Sequence, residues 1–194
     1  MELETESVDL IEDDLVANIA RMALFGAIMG AFAFVSFPYP LSPAPVTLQV
    51  LGVFLAGILL GPRFGAGAMV VYLLAGALGA PVFAGGSAGV GVLLGPTGGY
   101  LLSYPIAAFF IGVIVHNGVS LSDHRSVRLP RLVGAMVIGT TVIYAMGIVG
   151  LMVVLELGWI EATVVGAAVF IPAEVLKMVA AIGIIRSDEL AIST

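Results

Sequence analysis

Residues 172–177 read PAEVLK and place Glu174 three positions before Lys177, the single lysine among 194 residues. Three residues along a helix bring two Cβ atoms to about 5–6 Å on one face. An acid and a base so spaced can neutralise each other or face a polar ligand together. Lys177 precedes Arg186 by nine residues of apolar sequence, which is about 14 Å along a helix axis. A charge that deep in a bilayer costs about 2.5–3.5 kcal/mol on insertion scales. Two readings remain open on these residues: a structural pair tying helices together, or a polar substrate site. Pro172, one turn earlier, frees a carbonyl and suits a bent helix beside a cavity.

Other chemistry-bearing patterns lead to less. Gly85 to Gly89 read GGSAG, which matches the G-x-S-x-G turn of serine hydrolases. Such a serine needs a histidine within hydrogen-bond reach, and the two histidines, His116 and His124, fall on the arginine-bearing face, opposite Ser87. With Asp123, those histidines make a weak ligand set for a metal, so no metal site is expected. A Walker loop requires a glycine before its lysine, whereas Leu176 precedes Lys177. If ATP drives this protein, another subunit hydrolyses it. No enzymatic role is expected.

The elements that must position Glu174 and Lys177 are membrane helices. The chain is 60% hydrophobic and 10% charged, with a mean hydropathy of +1.17, against about a quarter charged residues in soluble domains. Its apolar runs are continuous, which favours helices over a β-barrel. Six spans are predicted at 19–37, 46–61, 64–80, 98–116, 130–155 and 162–185. Residues 1–17 form an acidic tail, with seven acids and no base in the first 14 positions. That is the reverse of a signal peptide and speaks against nucleic acid as a partner. The membrane domain covers 18–187, and 188–194 form a short tail. With six spans, all six arginines fall on one face and the three opposite loops carry no base. Both termini are then cytoplasmic. Of the outer loops, 38–45 is proline-rich and stiff. Loop 81–97 is uncharged, apolar and glycine-rich, and is expected to fold back on the bundle. Ala23, Ala27 and Ala31 make a stripe of small side chains on the first span, suited either to packing inside the bundle or to docking a partner.

Three segments, PAPVTLQVLGVFLAGILLGPRFG, GALGAPVFAGGSAGVGVLLGPTGGY and FIPAEVLK, together resemble the BioY family, the biotin-binding S components of energy-coupling factor (ECF) transporters. The resemblance runs from about Ala23 to Lys177. It implies an all-α fold of six membrane helices in the cell membrane, binding biotin as ligand without a cofactor. It further implies a transmembrane coupling protein and a pair of ABC-type ATPases as partners. Docking would use the stripe Ala23, Ala27 and Ala31. The expected substrate-binding set is Glu174, Lys177, Ser87, Gly86, Gly89, Gln49, Tyr100 and Tyr104, with Tyr72 a further wall candidate. Two positions depart from the family pattern: P-G-D-x-x-K stands as Pro172-Ala173-Glu174-Val175-Leu176-Lys177, and Ser87 stands where asparagine is frequent. The rival reading is a stand-alone vitamin carrier driven by protons through Glu174.

Overall fold

The structure, a computed structural model, describes residues 3–121 and 127–187, with side chains from Leu15 onward. His124, Arg125 and the tail 188–194 lie outside the described residues. The chain is mostly helical: α1 (Leu3–Phe34), α2 (Gln49–Ala77), a short α3 (Val90–Leu93), α4 (Gly98–His116), α5 (Leu129–Leu155), α6 (Trp159–Gly166) and α7 (Ile171–Arg186). A two-stranded antiparallel ribbon, β1 (Ser36–Phe37) with β2 (Val46–Thr47), closes the base of the proline-rich loop. Five stretches are long and apolar enough to cross a membrane: Leu15–Phe34, α2, α4, α5 and Trp159–Arg186.

Three boundaries differ from the sequence-based expectation. α1 begins at Leu3, so the acidic segment continues the apolar helix, and it ends at Phe34 where β1 takes over. The last span is divided. α6 stops at Gly166, residues 168–170 form one 3-10 turn, and α7 starts at Ile171. Pro172 therefore stands in the first turn of α7, where its missing N–H has no intrahelical partner to lose. It does not bend a continuous helix.

The third difference is α2, where the two expected spans are one unit interrupted at Gly61, whose φ of 74° is outside the helical region. A side chain would strain that conformation, and glycine adopts it freely. Along a straight helix Gln49 and Tyr72 would stand about 34 Å apart, yet their side chains are hydrogen-bonded at 2.6 Å. The chain must fold back at Gly61–Pro62 into two antiparallel arms, 49–60 and 62–77.

That reversal sets a problem in backbone hydrogen bonding. Pro62 has no N–H, so the Ile58 carbonyl lacks its helical donor four residues on. In a bilayer such a group must find a partner within the protein. Nε2 of buried His116, the last residue of α4, lies 2.9 Å from that oxygen. A carbonyl only accepts, so Nε2 carries the proton. α4 reaches the turn because Gly112 lies directly against it: a Cβ there would sit within 3 Å of Pro62 and Gly61. Val53, Phe54, Ile58, Met69, Ala107, Ala108 and Ile111, all at most 1% exposed, fill the centre between α2 and α4.

The same end of the molecule holds other carbonyls satisfied by basic side chains. Arg131 donates to the Ile114 carbonyl in the last turn of α4, and Arg186 at the end of α7 donates to Val127 at 3.1 Å. Basic groups suit helix C-terminal carbonyls. On α1, Gly26 and Gly30 face inward, whereas Ala23, Ala27 and Ala31 are exposed. The alanine stripe is not internal packing.

Removing the proton donor at position 116 tests the reversal. His116→Leu is expected to lower stability by about 1–3 kcal/mol, the cost of stranding a buried carbonyl. His116→Gln, which keeps a donor N–H, should recover part of that loss. Thermal unfolding in detergent distinguishes them, and equal melting temperatures for wild type and His116→Leu would count against the assigned bond.

Candidate functional site

The break before α7 puts Glu174 in the first turn of a 16-residue helix, where the helix dipole favours negative charge. Lys177 follows one turn later, and its Nζ donates to Glu174 Oε1 at 2.7 Å. A second donor comes from α5: the Tyr144 hydroxyl bonds the same Oε1 at 2.8 Å. Glu174 and Lys177 are buried, at 3% and 7% exposure. Oε2 of Glu174 is also buried and has no hydrogen-bond partner among the described residues. A buried acceptor left unpaired costs about 1–3 kcal/mol, more when charged. An ion pair serving only to tie helices together would have no reason to leave it so.

These groups line a cavity of about 220 Å³, more than ten times the about 10–15 Å³ that seats one water. Around Glu174 and Lys177 its wall takes Gln49 and Val50 from α2, Tyr100, Leu101 and Tyr104 from α4, Ile143 and Tyr144 from α5, and Phe170. Ala44 to Thr47 close it from the ribbon, and Phe83, Ala84, Ser87, Val92 and Thr97 from the glycine-rich segment. The wall is mostly apolar and aromatic with a few polar groups, the usual make-up of a small-molecule site. A second cavity of about 290 Å³ lies between the ribbon and α7, almost wholly apolar, and shares Val46, Thr47 and Lys177 with the first.

The rings are fixed by one another and by the backbone. Tyr144 stacks on Phe170 with centroids 6.2 Å apart and planes at 19°. Tyr100 meets Tyr144 edge-on at 6.1 Å, and Tyr39 of the proline-rich loop packs on Phe170 at 5.8 Å. The Tyr100 hydroxyl donates to the Gly166 carbonyl at 2.8 Å, holding the last turn of α6 beside α4. Tyr104 is buried, lines the cavity, and its hydroxyl bonds no protein group among the described residues.

The opposite wall hangs on a buried relay. Thr47 donates to Gln49 Oε1 at 2.9 Å, the Gln49 amide donates to Tyr72 at 2.6 Å, and Tyr72 donates to the Val82 carbonyl at 3.0 Å. The chain of donors fixes the direction of each bond, because the Val82 carbonyl can only accept. It joins β2, both arms of α2 and the glycine-rich segment. Phe83, fully buried, packs edge-on against Tyr72 at 5.5 Å. The uncharged 81–97 segment is thus folded back on α2.

The residues expected from sequence are placed as follows. Glu174, Lys177, Gln49, Ser87, Tyr100 and Tyr104 meet at the one cavity. Gly86 and Gly89, with φ of 76° and 93°, shape the turn beside Ser87 without lining it. Tyr72 stands behind the wall as a support. Ser87 is exposed and its hydroxyl donates to Ala84 at 2.9 Å, while His116 stands 18 residues past the start of α4, about 27 Å along its axis. Sequence reasoning missed Tyr144 and Phe170. One signal existed for Tyr144: it lies mid-span in α5, far from the membrane interfaces where tyrosines usually gather.

Tyr72→Phe should leave the Val82 carbonyl and the Gln49 amide without their shared hydroxyl, at a cost of about 1–3 kcal/mol. Amide hydrogen exchange over residues 82–89 is expected to quicken. Exchange unchanged from wild type would remove the relay as the anchor of that segment.

The sequence model described as BioY family matches residues 4–193. A relative from Rhizobium etli, described as biotin transporter BioY, is 39% identical, over 84% of this chain and 88% of that protein. One from Thermotoga maritima with the same description is 35% identical, over 68% and 72%. A third from Pyrococcus horikoshii, described as probable biotin transporter BioY, is 34% identical, over 85% and 91%. Among solved structures, the S component for biotin from an ECF-type ABC transporter superposes with a TM-score of 0.81 and 25% identity, over 94% of both chains.

Proposed function

The chain belongs to the BioY family of multi-pass membrane transport components, which are not enzymes, and from that premise we propose that it is the membrane subunit that captures biotin for ATP-driven uptake. The observation that carries the reading to particular residues is the unpaired Oε2 of Glu174 beside Lys177 on the cavity wall. Biotin brings a ureido group whose carbonyl accepts and whose adjacent N–H donates. Lys177 has two N–H groups beyond the one given to Glu174, and Oε2 is an acceptor without a donor. The two sides are complementary, donor to acceptor and acceptor to donor. A ligand carboxylate set there would leave Oε2 unpaired. The carboxylate of biotin instead has the Tyr104 hydroxyl and the second N–H of Gln49 as free donors on the wall. The apolar rings and the Tyr144–Phe170 stack suit the bicycle and its alkyl chain.

Six crossings with both termini cytoplasmic form part of the proposal. Each arm of α2 counts as one crossing, and the divided α6–α7 stretch counts as the last. The gathering of Arg131 and Arg186 on carbonyls at the His116 end, with Arg63 at the adjoining reversal, supports that orientation under the positive-inside rule. The ATPases and the coupling protein are the partners proposed for this chain. The exposed alanine stripe on α1 is the surface proposed for the coupling protein, because small side chains let two membrane helices approach closely.

Binding of radiolabelled biotin to the purified protein is the direct test. Lys177→Ala is expected to weaken it by about 2–5 kcal/mol, and a folded variant binding as tightly as wild type would sink the site assignment. Ala27→Trp should leave that binding intact, since Ala27 is exposed and does not line the cavity, while co-purification of the coupling protein is lost. Retained co-purification would exclude the stripe as the docking face. Biotin uptake by cells lacking any ATPase partner would instead favour a stand-alone carrier.

A further inference from the structure

Both donors that the protein offers Glu174 fall on one of its two oxygens. Lys177 Nζ and the Tyr144 hydroxyl reach Oε1 at 2.7 and 2.8 Å, and Oε2 has neither. A carboxylate has about four lone-pair positions spread over both oxygens, so this division is a matter of placement. Lys177 alone could turn with the carboxylate and let either oxygen take the bond. Tyr144 cannot follow such a turn. Its ring is held flat against Phe170 and edge-on to Tyr100, and its backbone belongs to a different helix, α5. We propose that Tyr144 is a positioning residue for ligand recognition: it holds Glu174 in the rotamer that saturates Oε1 and presents Oε2 as the acceptor for a ligand N–H. The inference deepens the biotin reading and rests on it, the N–H being that of the ureido ring.

The length of the acid is part of the device. Aspartate is shorter by one methylene, about 1.5 Å, which would take the 2.8 Å contact with Tyr144 beyond hydrogen-bonding distance. Glu174 and Tyr144 therefore work as a unit, and Glu174→Asp is not a mild change in this chain even though it keeps the charge.

The experiment is biotin binding to the purified chain and to Tyr144→Phe, Glu174→Asp and the double variant, with the melting temperature of each measured without ligand. Tyr144→Phe keeps the ring and its stacking but loses a bond to a buried carboxylate, so it should still fold and unfold cooperatively with a modestly lowered melting temperature, while biotin affinity falls about tenfold to hundredfold, as for loss of a charge-assisted bond. The double variant should bind no worse than Glu174→Asp, since the same bond is already absent there. A biotin methylated on its ureido nitrogens has no N–H to offer, and its weak binding should be the same to wild type and Tyr144→Phe. Biotin affinity unchanged in Tyr144→Phe, or losses that multiply in the double variant, would overturn the proposal while leaving the biotin reading intact. If Tyr144→Phe does not fold, wild-type affinity in Glu174→Asp overturns it equally. No biotin binding by the unaltered chain overturns both.

Discussion

A carboxylate and an ammonium buried in an apolar bundle must be compensated there, and most of the upper half of this molecule is arranged around that requirement. Separate charges at this depth would each carry a large desolvation penalty; side by side they neutralise one another. The break at 167–170 places Glu174 at a helix start, where the dipole helps it. α5 contributes the Tyr144 hydroxyl, and the Tyr39–Phe170–Tyr144–Tyr100 contacts keep that hydroxyl aimed. What is left over, one acceptor oxygen and two ammonium N–H groups, is the chemistry that the proposed site would offer a ligand.

The lower half answers a different demand of the bilayer, that no backbone polar group go unpaired. Reversal at Gly61–Pro62 creates an orphan at Ile58, and His116 meets it from the end of α4. Arg131 and Arg186 do the same for the carbonyls of Ile114 in the last turn of α4 and Val127 just before α5. The arginines on which the proposed orientation rests are thus also part of the hydrogen-bond inventory of that face. Between the two halves, the Thr47–Gln49–Tyr72–Val82 relay carries order from the core of α2 to the segment that borders the cavity.

How much of this could be read beforehand followed from the range of the interactions. The Glu174–Lys177 pair was legible because three residues on a helix fix their neighbourhood locally, and charge is conspicuous in apolar sequence. The folding back of 81–97 was legible because an uncharged apolar loop has few other places to go. Tyr144 was not, since its partner lies 30 residues away on another helix and no motif links them. The division of the last span was also hidden: α6 stops at Gly166, one of 25 glycines in the chain, while the more conspicuous signal, Pro172, turned out to mark a helix start. The alanine stripe could be seen in the sequence, but its outward direction could not, because α1 has glycines at Gly26 and Gly30 that serve equally well as a packing face.

One consequence of Lys177 being the only lysine concerns reagents rather than recognition. In most proteins amine-directed acylation scatters over many surface sites. Among the described residues this chain offers a single ε-amine, 7% exposed and engaged by a carboxylate on a cavity wall. Acylation of Lys177 is therefore a chemically unique mark on the interior of the protein, and whatever occupies the cavity stands between the reagent and its target.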